Sequence, residues 1–456
     1  MPDPLPDRVS DLPAKETPPL SARFGLFGYR MATRLARPAL GYLLKKRLAR
    51  GKEDEARIGE RRGIAGRPRP QGPLVWFHAA SIGEAVSVLP LIARLMAQDP
   101  ALHVLVTTGT VTSAKLLAER LPKGAFHQFI PLDHPDFCAR FLDHWQPDLA
   151  VWVESEFWPN LILATRDRGI PMALVNARMS PKSFEGWSKY PKIASVILNS
   201  FSLVLAQDQE TAVRLQSLGA RHAISAGNLK NDAPALPAKA SALASLHNLV
   251  LDRPVWLAAS THPGEEDIIA ETHIAMAPDL PDLLTIIVPR HPDRGADIAA
   301  MLENRGLQAN QRSRNHLPGD KTDVYIADTI GELGVFYRLT ETVFIGGTLV
   351  PHGGQNPIEA ARLNCAIMAG PHRFNFEEAF AALAEADALF DVNDASSLSS
   401  TIKRLLGNDT LRHRRAAAAR KVAEASSGVA ERVAGELLPL LKQGSRLKQD
   451  EVARHA

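Results

Sequence analysis

Sulfur is scarce in this chain, with two cysteines, Cys138 and Cys365, in 456 residues. A disulfide framework and a thiolate-rich zinc site are thereby excluded, and a reducing compartment is implied. Metal-binding spacing is also lacking. No HExxH or CxxC occurs, and the fifteen histidines are scattered. No G-x-G-x-x-G follows the first strand pattern and no Walker A loop is present, which removes dehydrogenases and P-loop NTPases. Residues 1–20 are proline-rich and lack the apolar core of a signal peptide. They are expected to form a disordered extension, on a protein that stays on the cytoplasmic side.

Net charge is nearly absent overall, at +3 from 53 basic and 50 acidic residues. That near-balance is an average. Residues 21–70 hold 14 Lys or Arg against 4 Asp or Glu, a local +10, which leaves −7 for the rest. Within this basic block Phe24, Phe27, Met31, Leu35, Ala39 and Tyr42 recur at steps of three or four, a helical stripe. Arg30, Arg34 and Arg37 interrupt the run from Phe24 to Leu44, so it is a poor transmembrane span. An amphipathic helix in the membrane interface fits better, with Lys45, Lys46, Arg47, Arg50 and Lys52 toward anionic headgroups. The plainer alternative is a helix that packs on its own domain through that stripe.

Short apolar runs then alternate with helix patterns. Leu74–His78, His103–Thr108, Leu149–Val153, Pro171–Asn176 and Leu203–Gln207 read as strands. A proline-bearing stretch, Asn231–Lys239, reads as a linker. The alternation restarts with Val255–Ala259, Leu284–Val288, Val324–Ala327, Thr342–Ile345 and Ala366–Ala369, and an Ala-rich helical tail runs from Thr401 to Leu441. Wholly apolar strands separated by helices imply parallel sheets covered on both faces. The expected fold class is α/β. Two Rossmann-like domains, 71–232 and 240–441 with its C-terminal helices, face a cleft, and ligands bind at the C-terminal strand ends.

Those ends carry the chemistry. Val288-Pro289-Arg290-His291-Pro292 offers a guanidinium for a phosphate. Ser260 and Thr261 precede a helix start, as does the run Asp328-Thr329-Ile330-Gly331-Glu332-Leu333. Gly353-Gly354-Gln355-Asn356-Pro357-Ile358-Glu359 is a glycine-rich loop entering a helix, where Asn356 and Glu359 suit ribose hydroxyls. Turn and N-cap chemistry selects the same residue types. In the first domain Glu84 follows Ser81-Ile82-Gly83, and Glu154 and Glu156 form a second acidic pair. Glu84 is either a general base or an acid merely stabilised by a helix N-terminus. From the residues alone, a nucleotide or nucleotide-sugar binds the second domain and an acceptor approaches the first.

Taken in order, Ser81–Glu84, Thr107–Thr110, Glu154–Asn160, Asn176–Arg178, Gly227–Lys230, Ala259–His262, Val288–Pro292, Asp328–Leu333 and Gly346–Glu359 resemble the 3-deoxy-D-manno-octulosonic acid (Kdo) transferases. That resemblance implies a GT-B glycosyltransferase that needs no metal and no cofactor. It would move Kdo from CMP-Kdo to the lipid A precursor, with inversion, at the cytoplasmic face of the bacterial inner membrane. Implied partners are CMP-Kdo, the lipid A precursor and the anionic membrane surface, with no nucleic acid. Glu84 matches the family's general base. CMP-binding positions match Pro289, Arg290, Ile330, Gly331, Glu332, Leu333, Asn356, Pro357, Ile358 and Glu359. Lys230, Ser260, Thr261 and His291 are candidate donor or phosphate contacts, and Gly83, Thr110, Glu154 and Arg178 candidate acceptor contacts. Gln355 and Ala360 depart from the family, which has His and Pro there. The alternatives are a GT-B enzyme acting on a soluble sugar and a non-catalytic, membrane-docked sugar or nucleotide binder.

Overall fold

The computed structural model describes residues 19–232, 235–251 and 253–455. Most of the expected extension, and residues 233–234 of the expected linker, lie outside them. The described residues divide into two compact units, 19–232 with 428–455, and 235–427.

The first unit holds β1 (Leu74–His78), β2 (His103–Thr108), β3 (Ala125–Phe129), β4 (Leu149–Val153), β5 (Met172–Ala177), β6 (Leu203–Ala206) and β7 (Ala223–Ser225). All pair in parallel, in the order β3-β2-β1-β4-β5-β6-β7. Alternate residues of β1 serve opposite faces. Val75 and Phe77 join one apolar cluster, Leu74 and Trp76 the other. Burial on both faces explains why these strands read as continuous apolar runs.

The second unit repeats the plan with β8 (Val255–Thr261), β9 (Leu284–Pro289), β10 (Ala309–Gln311), β11 (Val324–Ile326), β12 (Thr342–Ile345), β13 (Ala366–Ala369) and β14 (Leu389–Asp391). Its parallel order is β10-β11-β9-β8-β12-β13-β14. The four strands absent from the sequence reading, β3, β7, β10 and β14, are the four sheet edges. β7, β10 and β14 are three residues long, and all four edges are only part-covered, with polar residues such as His127, Gln128, Asn310 and Asp391, so they show no long apolar run.

Two expectations are corrected. The helical run Phe24–Leu44 is two helices, α1 (Leu20–Leu35) and α2 (Arg37–Ala49), parted at Ala36 with Pro38 in the first turn of α2. Proline fits a first turn but not a helix interior. The second domain does not extend to 441. The helix Val429–His455 belongs to the first unit, where Val433, Ala434, Leu437 and Leu441 pack in the cluster of Val75 and Val151. Its amide at Ala430 donates to Asp232, and Lys448 pairs with Asp148 at 3.0 Å.

α1 also settles which side its stripe faces. Ala22 is buried, Leu26 packs on the domain core, and Gly25 approaches Ile193. The Tyr29 hydroxyl donates to Asp133 at 2.9 Å, and Asn160 Nδ2 donates to Thr33 at 2.9 Å. At ~100° per residue this inward face lies opposite Leu20, Phe24, Phe27 and Leu35. Phe24 and Leu35 are 73% and 76% exposed. The apolar stripe therefore points away from the domain, and packing rests on the small and polar side. Among the described residues no helix is long and apolar enough to cross a membrane.

Candidate functional site

In the first unit, side chains gather at the C-terminal ends of β1, β4, β5 and β7. Ser81 caps the helix Ile82–Ser87, and its Oγ accepts from the Glu84 amide. Glu84 answers by accepting from Ser81 Oγ and from the Ala80 amide, both at 2.7 Å. The carboxylate is thus held in one orientation while the residue is 8% exposed. Burial raises its pKa above the ordinary glutamate range, the Ser81 and Ala80 bonds oppose this, and Glu154 and Glu156 add to the rise. Of the two readings, an acid merely stabilised by a helix N-terminus would have a lowered pKa, and desolvation outweighs that lowering.

Glu154 sits just past β4 with φ +58°, a left-handed conformation rare for a non-glycine residue, and accepts from Lys230 Nζ at 3.0 Å. Lys230 is therefore a first-unit residue paired to an acidic group, not an unengaged phosphate ligand. Asn176 at the end of β5 has φ +50°, and its Oδ1 accepts from the Leu229 amide, tying β5 to the turn that carries Lys230. Such backbone strain costs about 1–3 kcal/mol per residue and concentrates at functional sites. Glu156 accepts from Trp158 Nε1. Thr110 caps the helix Val111–Arg120, and Arg178 is exposed just past β5. Gly83 has no close neighbour that a side chain would strike, so its smallness is not sterically required.

The sequence reading missed Arg61. It is 3% exposed, bonds Glu53, and donates to the carbonyls of Gly109 and Ile130. It thereby fixes the Thr107–Thr110 turn, whose Gly109 amide donates to Ala80 beside Glu84. Flanked by Glu60 and Arg62, it shows no local pattern that separates a buried arginine from an exposed one.

In the second unit, Arg290 is exposed just past β9, with Pro289 buried behind it. His291 is exposed beside it. Ser260 has φ +59° at a register irregularity where β8 ends, which turns consecutive side chains off the regular alternation. Thr261 is fully buried and donates to Glu266, so its hydroxyl is unavailable to a donor, contrary to expectation. Ile330 is 89% exposed, and Gly331 has φ +84° with open space around it. Leu333 is part-buried at the start of the next helix. Glu332 is clamped by two Arg312 bonds and one from Thr329. The Arg312 contact chiefly holds its carboxyl down to about 2. Its side chain is thus already committed.

Asn356 caps the helix Pro357–Arg362 by accepting from the Ile358 amide at 3.0 Å. Pro357 and Ile358 are core residues, so their side chains are not ligand contacts. Glu359 stays part-exposed. Burial raises its pKa, while the Asn356 bond and the Arg362 and Arg290 charges oppose that. Underneath, buried Glu265 accepts from the amides of His262, Gly347, Thr348 and Leu349 at 2.7–3.0 Å. This carboxylate holds the glycine-rich turn, where Gly346 lies against Ser260 and a side chain would collide. Departing Gln355 bonds His262 at 2.9 Å. His262 also lies against His352, with ring centroids 3.7 Å apart. Burial, then the His352 and His291 rings and Arg290, lowers the His262 pKa to about 4. Among the described residues no three His, Cys, Asp or Glu side chains converge to hold a metal ion.

The sequence model of the family described as "3-Deoxy-D-manno-octulosonic-acid transferase (kdotransferase)" matches residues 56–233. A 3-deoxy-D-manno-octulosonic acid transferase of Haemophilus influenzae is 36% identical over 394 residues, covering 85% of this chain and 92% of the relative. The chain belongs to the Kdo transferase family. A transferase of the same name from Bordetella pertussis is 34% identical over 83% of this chain and 89% of its own. Among solved structures, the UDP-GlcNAc 2-epimerase of Neisseria meningitidis aligns with a TM-score of 0.56 at 15% identity, over 79% of this chain and 99% of its own. A glycosyltransferase from Rickettsia africae aligns at 0.53 and 14% identity, over 84% and 99%. These two share the fold, which is of the GT-B type. This Kdo transferase is a glycosyltransferase.

Proposed function

We propose that this transferase moves Kdo from CMP-Kdo to the lipid A precursor, with Glu84 as general base and inversion at the anomeric carbon. The observation that carries this is the Glu84 carboxylate, oriented by Ser81 and Ala80 and made more basic by burial. In the step, Glu84 takes the proton from an acceptor hydroxyl. The hydroxyl oxygen bonds the anomeric carbon of Kdo, and the bond from that carbon to the phosphate oxygen breaks. CMP leaves with the electron pair. Arg290 is assigned to the leaving phosphate, and Asn356 and Glu359 to the ribose. A single phosphate is within the reach of side-chain cations, so no metal or cofactor is assigned, and activity should survive a chelator.

The acceptor is anionic and acylated. The outward apolar stripe of α1, flanked by Arg23, Arg30 and Arg34, supports docking on an anionic membrane, which for this substrate is the cytoplasmic face of the inner membrane. A Phe24→Glu, Leu35→Glu double variant should lose flotation with phosphatidylglycerol vesicles while remaining folded.

The deciding test of the chemistry is Glu84→Gln. The variant should retain CMP binding in calorimetry yet lose roughly 10²–10⁴ in turnover, the usual contribution of a general base. Near-normal Kdo transfer by that variant, read by mass spectrometry of the lipid product, would remove Glu84 from the base role.

A further inference from the structure

A groove of about 790 Å³ lies within the first unit, alongside α1. Its far wall comes from the helices Pro135–Trp145 and Pro159–Asp167, with Val196 from the helix Pro191–Leu198. It is separate from the strand-end residues assigned to catalysis, none of which lines it. The volume falls in the ~300–1,000 Å³ range of pockets that enclose small ligands.

The lining is two-sided in character. Leu26, Leu163, Ala164 and Val196 supply apolar surface, and Phe27 stands 63% exposed at the edge. Arg23 and Arg30 line the same groove from α1, seven residues and about two turns apart. The charges around them are unequal in availability. Arg166 pairs with Asp167 at 2.8 Å, and Arg168 with Asp143 at 2.7 Å. Arg23 and Arg30 have no carboxylate partner among the described residues. The one acidic lining residue, Asp167, is thus already matched, and two cations are left facing an apolar trough.

Position adds a further constraint. Leu20, Phe24 and Phe27 belong both to the groove edge and to the outward stripe of α1. A groove that opens beside an interfacial helix is reached from the acyl-chain side of a headgroup layer.

We propose that this groove takes one acyl chain of an anionic bilayer glycerophospholipid, with its phosphate held between Arg23 and Arg30. This rests on the reading of α1 as an interfacial helix and adds a discrete lipid site to it. Each chain methylene moved into such a trough is favourable, and the two guanidiniums match a phosphodiester in charge and hydrogen bonding.

The test uses the full chain on vesicles of phosphatidylcholine and phosphatidylglycerol, the latter with a diazirine at mid-chain. After illumination, adducts should map to peptides holding Leu163, Ala164 and Val196. Ala164→Trp fills the groove and should cut that labelling about tenfold while flotation is unchanged. Ala139→Trp does the same from the other wall if the first variant melts early. Arg23→Gln with Arg30→Gln should lower groove labelling by a factor of about ten or more, and raised salt should act in the same direction. Adducts confined to Phe24, Leu35 and Tyr42, with flotation intact, overturn the groove and leave surface docking standing. Loss of flotation by the wild-type chain overturns both. Two other results also overturn the proposal: labelling displaced only by soluble acceptor, which makes the acceptor's own chain the occupant, and labelling that emerges only when residues 1–18 are removed, which makes that segment the occupant.

Discussion

Glu84 shows how a residue type acquires a role from its surroundings. In the sequence it is one acid after a small-residue turn, open to two opposite readings. In the folded unit the capping bonds that would lower its pKa are outweighed by burial and by Glu154 and Glu156. A base must be deprotonated to act, so kcat/KM should rise with pH through a limb above the ordinary glutamate range. Measured with Glu154→Gln, that limb should move down, because one raising charge is gone. Glu332 goes the other way. Its carboxyl, held at about 2 chiefly by Arg312 and Thr329, is charged in the folded state well below its usual 4.5. The stability it contributes is present above ~4.5 and lost as pH falls toward 2. In Arg312→Gln the melting temperature should fall at pH above ~4.5 and the difference from wild type should shrink as pH falls toward 2. CMP affinity in that variant should also fall, because the loop around exposed Ile330 is no longer held.

Elements were legible where they are long, central and apolar. β1, β2, β4 and β12 match their sequence runs end for end because both faces are buried and their polar residues, His78, His103, Thr107, Thr108 and Thr342, lie at the strand ends. The edge strands were not legible, since they are only part-buried and mix polar with apolar residues. α1 illustrates a different limit. Its periodicity announces a helix and a stripe, but period alone leaves open whether the stripe or the opposite face meets the domain. Ala22, Gly25, Tyr29 and Thr33 decide it through contacts and hydrogen bonds that no spacing rule encodes. Asp133 anchors this arrangement. It accepts from Tyr29 and from the Asn160 and Leu161 amides that open the helix Pro159–Asp167. Asp133→Asn should cost about 1–3 kcal/mol of first-unit stability, as expected when a bonded buried acceptor is altered. It should also loosen α1, visible as faster amide exchange over residues 20–35.

At the scale of the whole molecule, chain order and spatial order part company. The helix Val429–His455 follows the second unit in sequence yet completes the core of the first. Its stripe of Val433, Leu437 and Leu441 is apolar on one face, which suits any exposed sheet surface, so contiguity with the preceding helices was a misleading guide. Leu437→Ala should destabilise the first unit by about 2–5 kcal/mol, as burial of a fully enclosed leucine predicts. In a two-transition melt the second unit should be unaffected. The +10 block has a similar double life: Glu53 and Glu60 draw Arg47, Arg57 and Arg61 into ion pairs on the first unit, while Arg23 and Arg30 remain available. The linear order of residues by itself determined the α/β class, the central strands, the family and the residue types at strand ends. Those depend on local pattern and on motifs that chain neighbours share. Only the tertiary structure decided which strand-end residues are core, which are paired off, which way α1 faces and where the last helix docks. These depend on desolvation, charge pairing and packing among residues far apart in the chain, and no local pattern carries them.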